Sequence, residues 1–288
     1  MSAPPANTAF LTTREVADLL RVKERKVYDL AAANEIPHRR ITGKLLFPKD
    51  ELTAWIDGGS PASAARPPII AGSHDPLLDW AAREADAGLA TLFDGSAAGL
   101  AKFAEGDAAL SGLHIPDDTC WNVSAVEGAD LHGCVLISMA KRTQGLILRQ
   151  DLASQVKGLG DLTGLRLLLR QPGAGARSLF DKLAQDVDLG DVEIASHPAR
   201  TETDAAQDVA QGAADVSFGL EAAAHQYGLA FAPLATEQFD LLIDRKAYFE
   251  PPVQTLLSFL ASDACAEKAQ QLRGYDLSTL GTVRWVSA

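Results

Sequence analysis

Two groups of residues have types and spacing that could do chemistry. The first is basic. Residues 21–49 carry eight Lys or Arg side chains against Glu24, Asp29 and Glu35. Lys23, Arg25, Lys26 and Tyr28 fall on the outer side of a helix whose Val27, Leu30 and Ala31 point inward. Arg39, Arg40 and Lys44 surround a Thr42-Gly43 turn. Such side chains neutralise phosphates and read base edges. The second group is a set of four small-residue turns: Ala71-Gly72-Ser73-His74-Asp75, Asp94-Gly95-Ser96-Ala97, Ser111-Gly112-Leu113-His114, and Arg170-Gln171-Pro172-Gly173-Ala174-Gly175-Ala176-Arg177. Each follows an apolar run or opens a helix, where backbone N–H groups point outward and favour an anion. Ser73, His74, Gly95, Ser96, His114, Arg170, Gly173, Gly175, Ala176 and Arg177 are the expected ligand contacts. Arg177 is expected as the main counter-charge and Arg170 as a second.

Other constellations do not support catalysis or metal binding. Ser73, His74 and Asp75 are triad residue types, but adjacent residues point apart and form no relay by themselves. The chain has no G-x-S-x-G elbow, Walker loop or H-E-x-x-H motif. Gly173-x-Gly175 is too short for a dinucleotide fingerprint. His74, His114 and His132 lack the close Cys or carboxylate spacing of a metal site. No cofactor, no metal and no catalytic residue is expected.

The elements that must position these groups can be read from the pattern. Thr12-Thr13-Arg14-Glu15 fits a capping box, and Val16, Leu19 and Leu20 follow at helical spacing. A second helix runs over about 23–33. Two short helices around a tight turn form the core of a helix-turn-helix. His38-Arg39-Arg40-Ile41 and Leu45-Leu46-Phe47 read as the strands of a β-hairpin wing tipped by Lys44. Pro48-Lys49-Asp50 opens a third helix, with Leu52, Trp55 and Ile56 closing a small core. Further on, apolar strands alternate with helices. Strands are expected at 69–71, 89–93, 108–113, 134–139, 165–169, 216–218 and 241–243, with helices at 77–87 and 97–105. This alternation implies parallel sheets with helices on both faces.

The stretch Phe10 to Ile56 resembles the excisionase-like branch of MerR-type winged helix domains. The matching residues are Leu11 to Leu20, Val27-Tyr28, Ile36-Pro37, Gly43, Phe47-Pro48 and Leu52-Trp55-Ile56. Lys23 stands where that family usually has a Ser capping the recognition helix. Ile69 to Trp285 resembles the periplasmic-binding-protein-like type II sensor domain. Gly72-Ser73-His74-Asp75, Gly99-Leu100, Gln144-Gly145-Leu146-Ile147, the 170–177 turn, Ala213-Ala214-Asp215-Val216 and Pro233-Leu234 carry that likeness. It implies two α/β lobes hinged around a ligand. Molybdate or tungstate is the ligand it suggests. The family's Gly-Ser-Gly-Thr-Arg turn reads Gly173-Ala174-Gly175-Ala176-Arg177 here, without its two hydroxyls. That leaves room for another anion, such as formate or another small carboxylate.

The expected fold class is α/β: a winged helix-turn-helix at 8–58, a Gly-, Ser- and Pro-rich linker at 59–68, and a two-lobed periplasmic-binding-protein-like (type II) α/β domain at 69–288. The 288 residues suit two domains, and 47% hydrophobic content supplies a core. The net charge of −12 is unevenly spread: residues 1–59 carry nine basic and eight acidic side chains, so the deficit lies in the rest. A local basic patch on an acidic body suits a DNA-reading module attached to another domain. No apolar run reaches the roughly 18–20 residues of a membrane span, and residues 1–7 do not read as a signal peptide. Cys120, Cys134 and Cys265 lack metal or redox spacing and read as cytoplasmic thiols.

The function these features imply is a one-component transcription regulator. Operator DNA and a small anion are its expected partners, together with a second copy in a homodimer or higher homo-oligomer. One short recognition helix reads few base pairs, so half-sites are usually paired. Two other readings remain open: an enzyme that uses the winged domain for docking, and an architectural DNA binder whose second domain is ligand-free.

Overall fold

Thr12 opens the first helix with the expected capping box. Its hydroxyl accepts from Glu15 N, and the Glu15 carboxylate accepts from Thr12 N at 2.7 Å. The computed structural model describes residues 10–33, 35–56, 66–117 and 120–287, and it divides into units Met1–Ala65 and Arg66–Ala288. In the first unit, helices α1 (Thr13–Leu20), α2 (Glu24–Ala32) and α3 (Lys49–Ile56) pack on a three-stranded antiparallel sheet. Its strands are β1 (Phe10–Thr12), β2 (Arg39–Ile41) and β3 (Lys44–Pro48), in the order β1-β3-β2. The wing is thus present, and β1 widens it by a strand that the sequence pattern did not suggest. Val16, Ala17, Val27, Ala31, Ile36, Phe47 and Leu52 form the core. Leu19 and Ile56 were expected inside. Leu19 is 54% exposed and Ile56 44% exposed, and the small Ala17 takes the inward position beside Val16. The wing turns at Thr42 and Gly43, both at positive φ, which Gly43 adopts freely.

In the second unit, alternating strands and helices build two lobes. Strands β4 (Ile69–Gly72), β5 (Ala90–Leu92) and β6 (Leu110–Leu113) enclose helices α4 (Pro76–Glu84) and α5 (Ser96–Glu105). The short helix α6 (Val123–Gly128) follows, then strand β7 (Cys134–Leu148). The other lobe has strands β8 (Arg166–Leu168), β9 (Glu193–Ile194) and β10 (Val216–Leu220), with helices α7 (Gly175–Ala184), α8 (Glu202–Ala210) and α9 (Glu221–Gln226). Strand β11 (Ala230–Asp244), helices α10 (Pro251–Leu260) and α11 (Asp263–Leu272), and strands β12 (Tyr275–Asp276) and β13 (Val283–Val286) complete the chain. The sheet order is β5-β4-β6-β11-β7-β10-β8-β9, with β12 and β13 also paired to β7.

The outer strands of each lobe pair in parallel, as expected. The middle of the sheet differs: β6, β11, β7 and β10 pair antiparallel. Two 15-residue strands, β7 and β11, run from one lobe into the other. Residues 134–139 of β7 lie opposite the half of β11 that pairs β6, and residues 144–148 pair β10. Arg142 and Glu237 face each other in register at the crossover. One apolar core holds Ile70, Leu77, Leu110, Phe239 and Leu256 and also takes in Ala206, Leu220 and Ala223 from the other lobe; a second, with Leu146, Leu167, Phe180, Val216 and Phe218, lies within that other lobe.

Of the stretch assigned to a flexible linker, residues 59–65 lie outside the described residues. Arg66 is held within the second unit: its Nε donates to Asp244 at 3.0 Å, its Nη1 donates to the Phe103 and Ala108 carbonyls, and its guanidinium covers the Phe103 ring. No helix among the described residues is long and apolar enough to cross a membrane.

Candidate functional site

The four small-residue turns meet at one place. Ser73 N donates to the Gly112 carbonyl (2.8 Å), and Gly95 N donates to the Gly72 carbonyl (3.0 Å). These bonds join the turns after β4, β5 and β6. His114 N then donates to Ser96 Oγ at 3.1 Å. The fourth turn comes from the other lobe. Ala97 N donates to the Gly173 carbonyl at 3.4 Å, and Gly175, the first residue of α7, lies directly on His114. A Cβ at Gly175 would stand 2.2 Å from the His114 carbonyl oxygen, so only glycine permits this approach. The N-termini of α5 and α7 therefore confront each other across the lobes, with Gly95 and Gly173 at positive φ beside them.

Behind the turns lies a buried polar chain. His114 Nδ1–H donates to Glu237 Oε2 at 2.7 Å, and its Nε2 is 2.7 Å from Ser73 Oγ. Glu237 Oε1 also accepts from Gln144 (3.0 Å) and from Arg142 Nη2. Arg142 Nη1 reaches Asp75 Oδ2 at 2.8 Å, and Tyr275 Oη donates to the same oxygen at 2.7 Å. Asp75 Oδ1 caps α4 by accepting from Leu78 N. Ser73, Asp75, His114, Arg142, Gln144 and Glu237 are all buried. The Arg142 guanidinium lies over the Phe239 ring, 4.1 Å from its centre.

Burial pushes the Glu237 carboxyl upward, but the Arg142 and His114 charges and their hydrogen bonds outweigh it and hold the group down at about 2. Burial works against the Arg142 charge as well, and Glu237 and Asp75 more than offset it, so Arg142 is raised. Burial raises the Tyr275 phenol, and the adjacent Asp75 adds to the effect. The order Ser73–His114–Glu237 has the form of a proton relay. Here the serine is wholly buried and the carboxylate is shared with Arg142 and Gln144, so the chain fixes the ring of His114 and ties β6 to the crossover.

The expected contacts separate into four sets. Ser73, Gly95, Ser96, His114, Gly173, Gly175 and Ala176 come together at the junction, where Ala176 is buried in the first turn of α7. His74 turns the other way, as alternate residues of an extended segment do. Its ring packs edge-on to Phe93 (5.5 Å), and burial lowers its pKa. Arg170 is buried but committed inside its own lobe: it pairs with Glu202 and donates to the Ala199 and Arg200 carbonyls. It thereby anchors the start of α8. Arg177 sits on the first turn of α7, and its Nε pairs with Asp181 at 2.9 Å in a partly exposed i,i+4 bridge. Arg142, Gln144, Glu237 and Tyr275 were not expected at the site. Arg142 and Glu237 lie in short polar stretches, residues 141–144 and 236–238, between apolar runs of the two long strands.

Another buried carboxylate lies nearby. Asp240 accepts from Asn122 Nδ2 (2.7 Å) and Gln238 Nε2 (3.0 Å), with Arg284 at 3.5 Å. Burial outweighs these partners and raises it to about 6. A carboxyl raised on folding binds its proton more tightly in the native state. Its contribution to stability is therefore full below about pH 4 and is lost as pH rises through about 6. We expect Asp240→Asn to remove a loss of up to about 3 kcal/mol from the melting-versus-pH curve over that window. Parent and variant melting curves of parallel slope between pH 4 and 7 would contradict this.

In the first unit, Lys23, Arg25, Lys26, Tyr28, Arg39, Arg40 and Lys44 are all exposed. Lys23 is the N-cap of α2 and provides no side-chain cap. Arg39 pairs with Glu51 at 2.8 Å, and the other six carry no ion pair among the described residues.

The family comparisons agree with this geometry. Residues 10–60 match the helix-turn-helix domain model, and residues 79–261 match the model of the PBP superfamily domain. The uncharacterized protein YvgK of Bacillus subtilis (strain 168) is 25% identical over 309 residues, covering 96% of this chain and 98% of that one. Among solved structures, one similar chain is described as a phosphate ABC transporter substrate-binding protein from Clostridium perfringens with bound phosphate. It has a TM-score of 0.51 at 11% identity and covers 71% of this chain and 96% of its own. A hydrogen-peroxide-bound mutant of Corynebacterium glutamicum OxyR has a TM-score of 0.50 at 14% identity, covering 91% of this chain and 89% of its own. These two likenesses concern the fold. With 79–261 making up most of the chain and a helix-turn-helix ahead of it, the protein belongs to the PBP superfamily and has the architecture of a ligand-sensing transcription regulator.

Proposed function

We propose that the protein is a cytoplasmic one-component regulator, acting as a homodimer or higher homo-oligomer, whose second unit closes on a small anion. The ligand is a molybdate- or tungstate-type oxyanion, or a small carboxylate such as formate. The observation that carries this reading is the meeting of the α5 and α7 N-termini across the lobes, with Ser73 and Ser96 hydroxyls beside them. Backbone N–H groups and hydroxyls at paired helix N-termini stabilise an anion. Arg177 remains the candidate counter-charge: an exposed i,i+4 pair such as Arg177–Asp181 is worth only about 0.3–0.5 kcal/mol, so an anion at the α7 N-terminus can compete for it. Arg170 supports the site from behind by holding the start of α8.

Melting of the full chain against molybdate, tungstate, sulfate, phosphate, formate and acetate tests the ligand class. A true ligand at a hundred times its Kd adds roughly 2.7 kcal/mol, about 5–10 °C for a unit of this size. Ser96→Ala and Arg177→Ala should remove most of that rise. A shift from neutral or cationic metabolites alone would overturn the anion reading and leave the regulator architecture standing.

The DNA face has its own test. We expect operator affinity to fall with salt at a slope of about −0.9 per phosphate neutralised. Lys44→Ala at the wing tip should weaken all sequences alike and make the slope shallower by about one. Arg25→Ala on α2 should relax base preference, by about 1–3 kcal/mol at the position it reads. An unchanged salt slope in Lys44→Ala together with an unchanged base preference in Arg25→Ala would remove the wing and α2 from the interface.

A further inference from the structure

A cavity of about 350 Å³ opens on the other side of His74, away from Ser73. That is within the range of small-molecule sites, about 300–1,000 Å³. Its walls come from four helices and both lobes: Trp80 on α4, Thr203 on α8, Gln226 on α9, and Lys268 and Gln271 on α11. His74 lines it too. This residue is 9% exposed, and its Nδ1 is buried without a hydrogen-bond partner among the described residues. The polar groups of Thr203, Gln226 and Gln271 also make no side-chain hydrogen bond to another described residue.

The charges around the cavity favour an anion with a flat apolar body. Arg83 is matched by Asp79 at 2.6 Å. Lys268 has no carboxylate partner among the described residues, and its Nζ stands 5.5 Å from the centre of the Trp80 ring. Burial holds His74 toward the neutral form. One cation is therefore left over beside an indole, with Pro76 and Leu272 as further apolar wall.

We infer that this cavity is a second effector site, separate from the helix-terminus junction, for a small aromatic carboxylate. Its carboxylate pairs with Lys268, its ring lies against Trp80, and its remaining polar group meets Thr203, with the His74 ring beside it. Because α4 packs against α11 while α8 packs on β10 of the other lobe, an occupant bears on both lobes and biases how they close.

The test is a melting and tryptophan-fluorescence titration of the full chain with benzoate, 4-hydroxybenzoate, salicylate, phenylacetate and indole-3-acetate. At least one should bind saturably and raise the melting midpoint. Lys268→Met and Thr203→Val should each weaken it at least tenfold, and both surface-facing changes leave the apolar cores intact. Ser96→Ala, at the junction, should leave this response in place while abolishing the response to the small anion. No saturable binding by any of the five up to 10 mM would overturn the proposal. So would binding that survives Lys268→Met and Thr203→Val. A parent chain that responds to an aromatic carboxylate but to none of the small anions would count against the junction reading alone.

Discussion

Arg142→Met is expected to destabilise the second unit by about 3–5 kcal/mol, the range for breaking a buried pair by removing one partner. For a unit of this size that lowers the melting midpoint by roughly 6–20 °C. Arg142 is the cation between Asp75 and Glu237, and none of the three has access to water. Without it, two carboxylates remain in an apolar setting beside Phe239. The pH dependence should also change sign. In the parent, Glu237 is held at about 2. A carboxyl depressed on folding contributes stability that is full above its unfolded value near 4.5 and lost as pH falls toward 2. In the variant, burial acts against His114 and Gln144 alone and shifts the group upward. Stability should then decline as pH rises through the neutral range. Adding Glu237→Gln to Arg142→Met should recover part of the loss, because it removes one of the stranded charges. Melting between pH 3 and 8 of the three proteins checks this. An Arg142→Met protein as stable as the parent at neutral pH would mean that the crossover network does not hold the lobes together.

Gly175→Ala is expected to leave each lobe folded and to abolish the response to ligand. The added methyl would stand 2.2 Å from the His114 carbonyl and 2.8 Å from its ring. Those are atoms of the opposite lobe, and the His114 ring is pinned at both nitrogens by Ser73 and Glu237, so it cannot move aside. The chain can relieve the clash by opening at β7 and β11, the two strands that run between the lobes. Small-angle scattering should show the variant expanded under conditions where the ligand compacts the parent, and ligand affinity should fall by more than tenfold. A Gly175→Ala protein that still compacts on ligand would show that α7 does not dock on His114 in the closed state.

The sequence revealed the parts of the fold that rest on short-range patterns. The Thr12–Glu15 capping box, the helix containing Val27 and Ala31, and the hairpin around Gly43 are local signals. The four turns were visible because each joins a short apolar strand to the segment beyond its end. The crossover was not visible. Strand β7 seemed to end at Met139, because Lys141-Arg142-Thr143-Gln144 breaks the apolar run; it continues to Leu148 because Asp75 and Glu237 satisfy Arg142. Strand β11 was recognised only at 241–243. Pro233 and the polar Thr236-Glu237-Gln238 interrupt it, and two register shifts, between Pro233 and Ala235 and between Phe239 and Asp240, absorb the irregularity. Buried charges are legible only once their partners are known, and Asp75 lies 67 residues from Arg142 along the chain. The same reason explains Arg170. Its type and place beside Gly173 suggested a ligand contact, whereas Glu202 and two carbonyls, about 30 residues further on, occupy it.

The central claim is that ligand in the second unit alters DNA binding by the first. The direct measurement is the affinity of the full chain for an operator selected from a random DNA pool, at fixed salt, with and without molybdate, tungstate or formate at saturation. The account predicts that at least one of these anions changes the affinity tenfold or more, about 1.4 kcal/mol of coupling, and that Gly175→Ala binds the operator with one affinity regardless of anion. An affinity that none of the three anions alters, in a protein whose melting shows that one of them is bound, would contradict it.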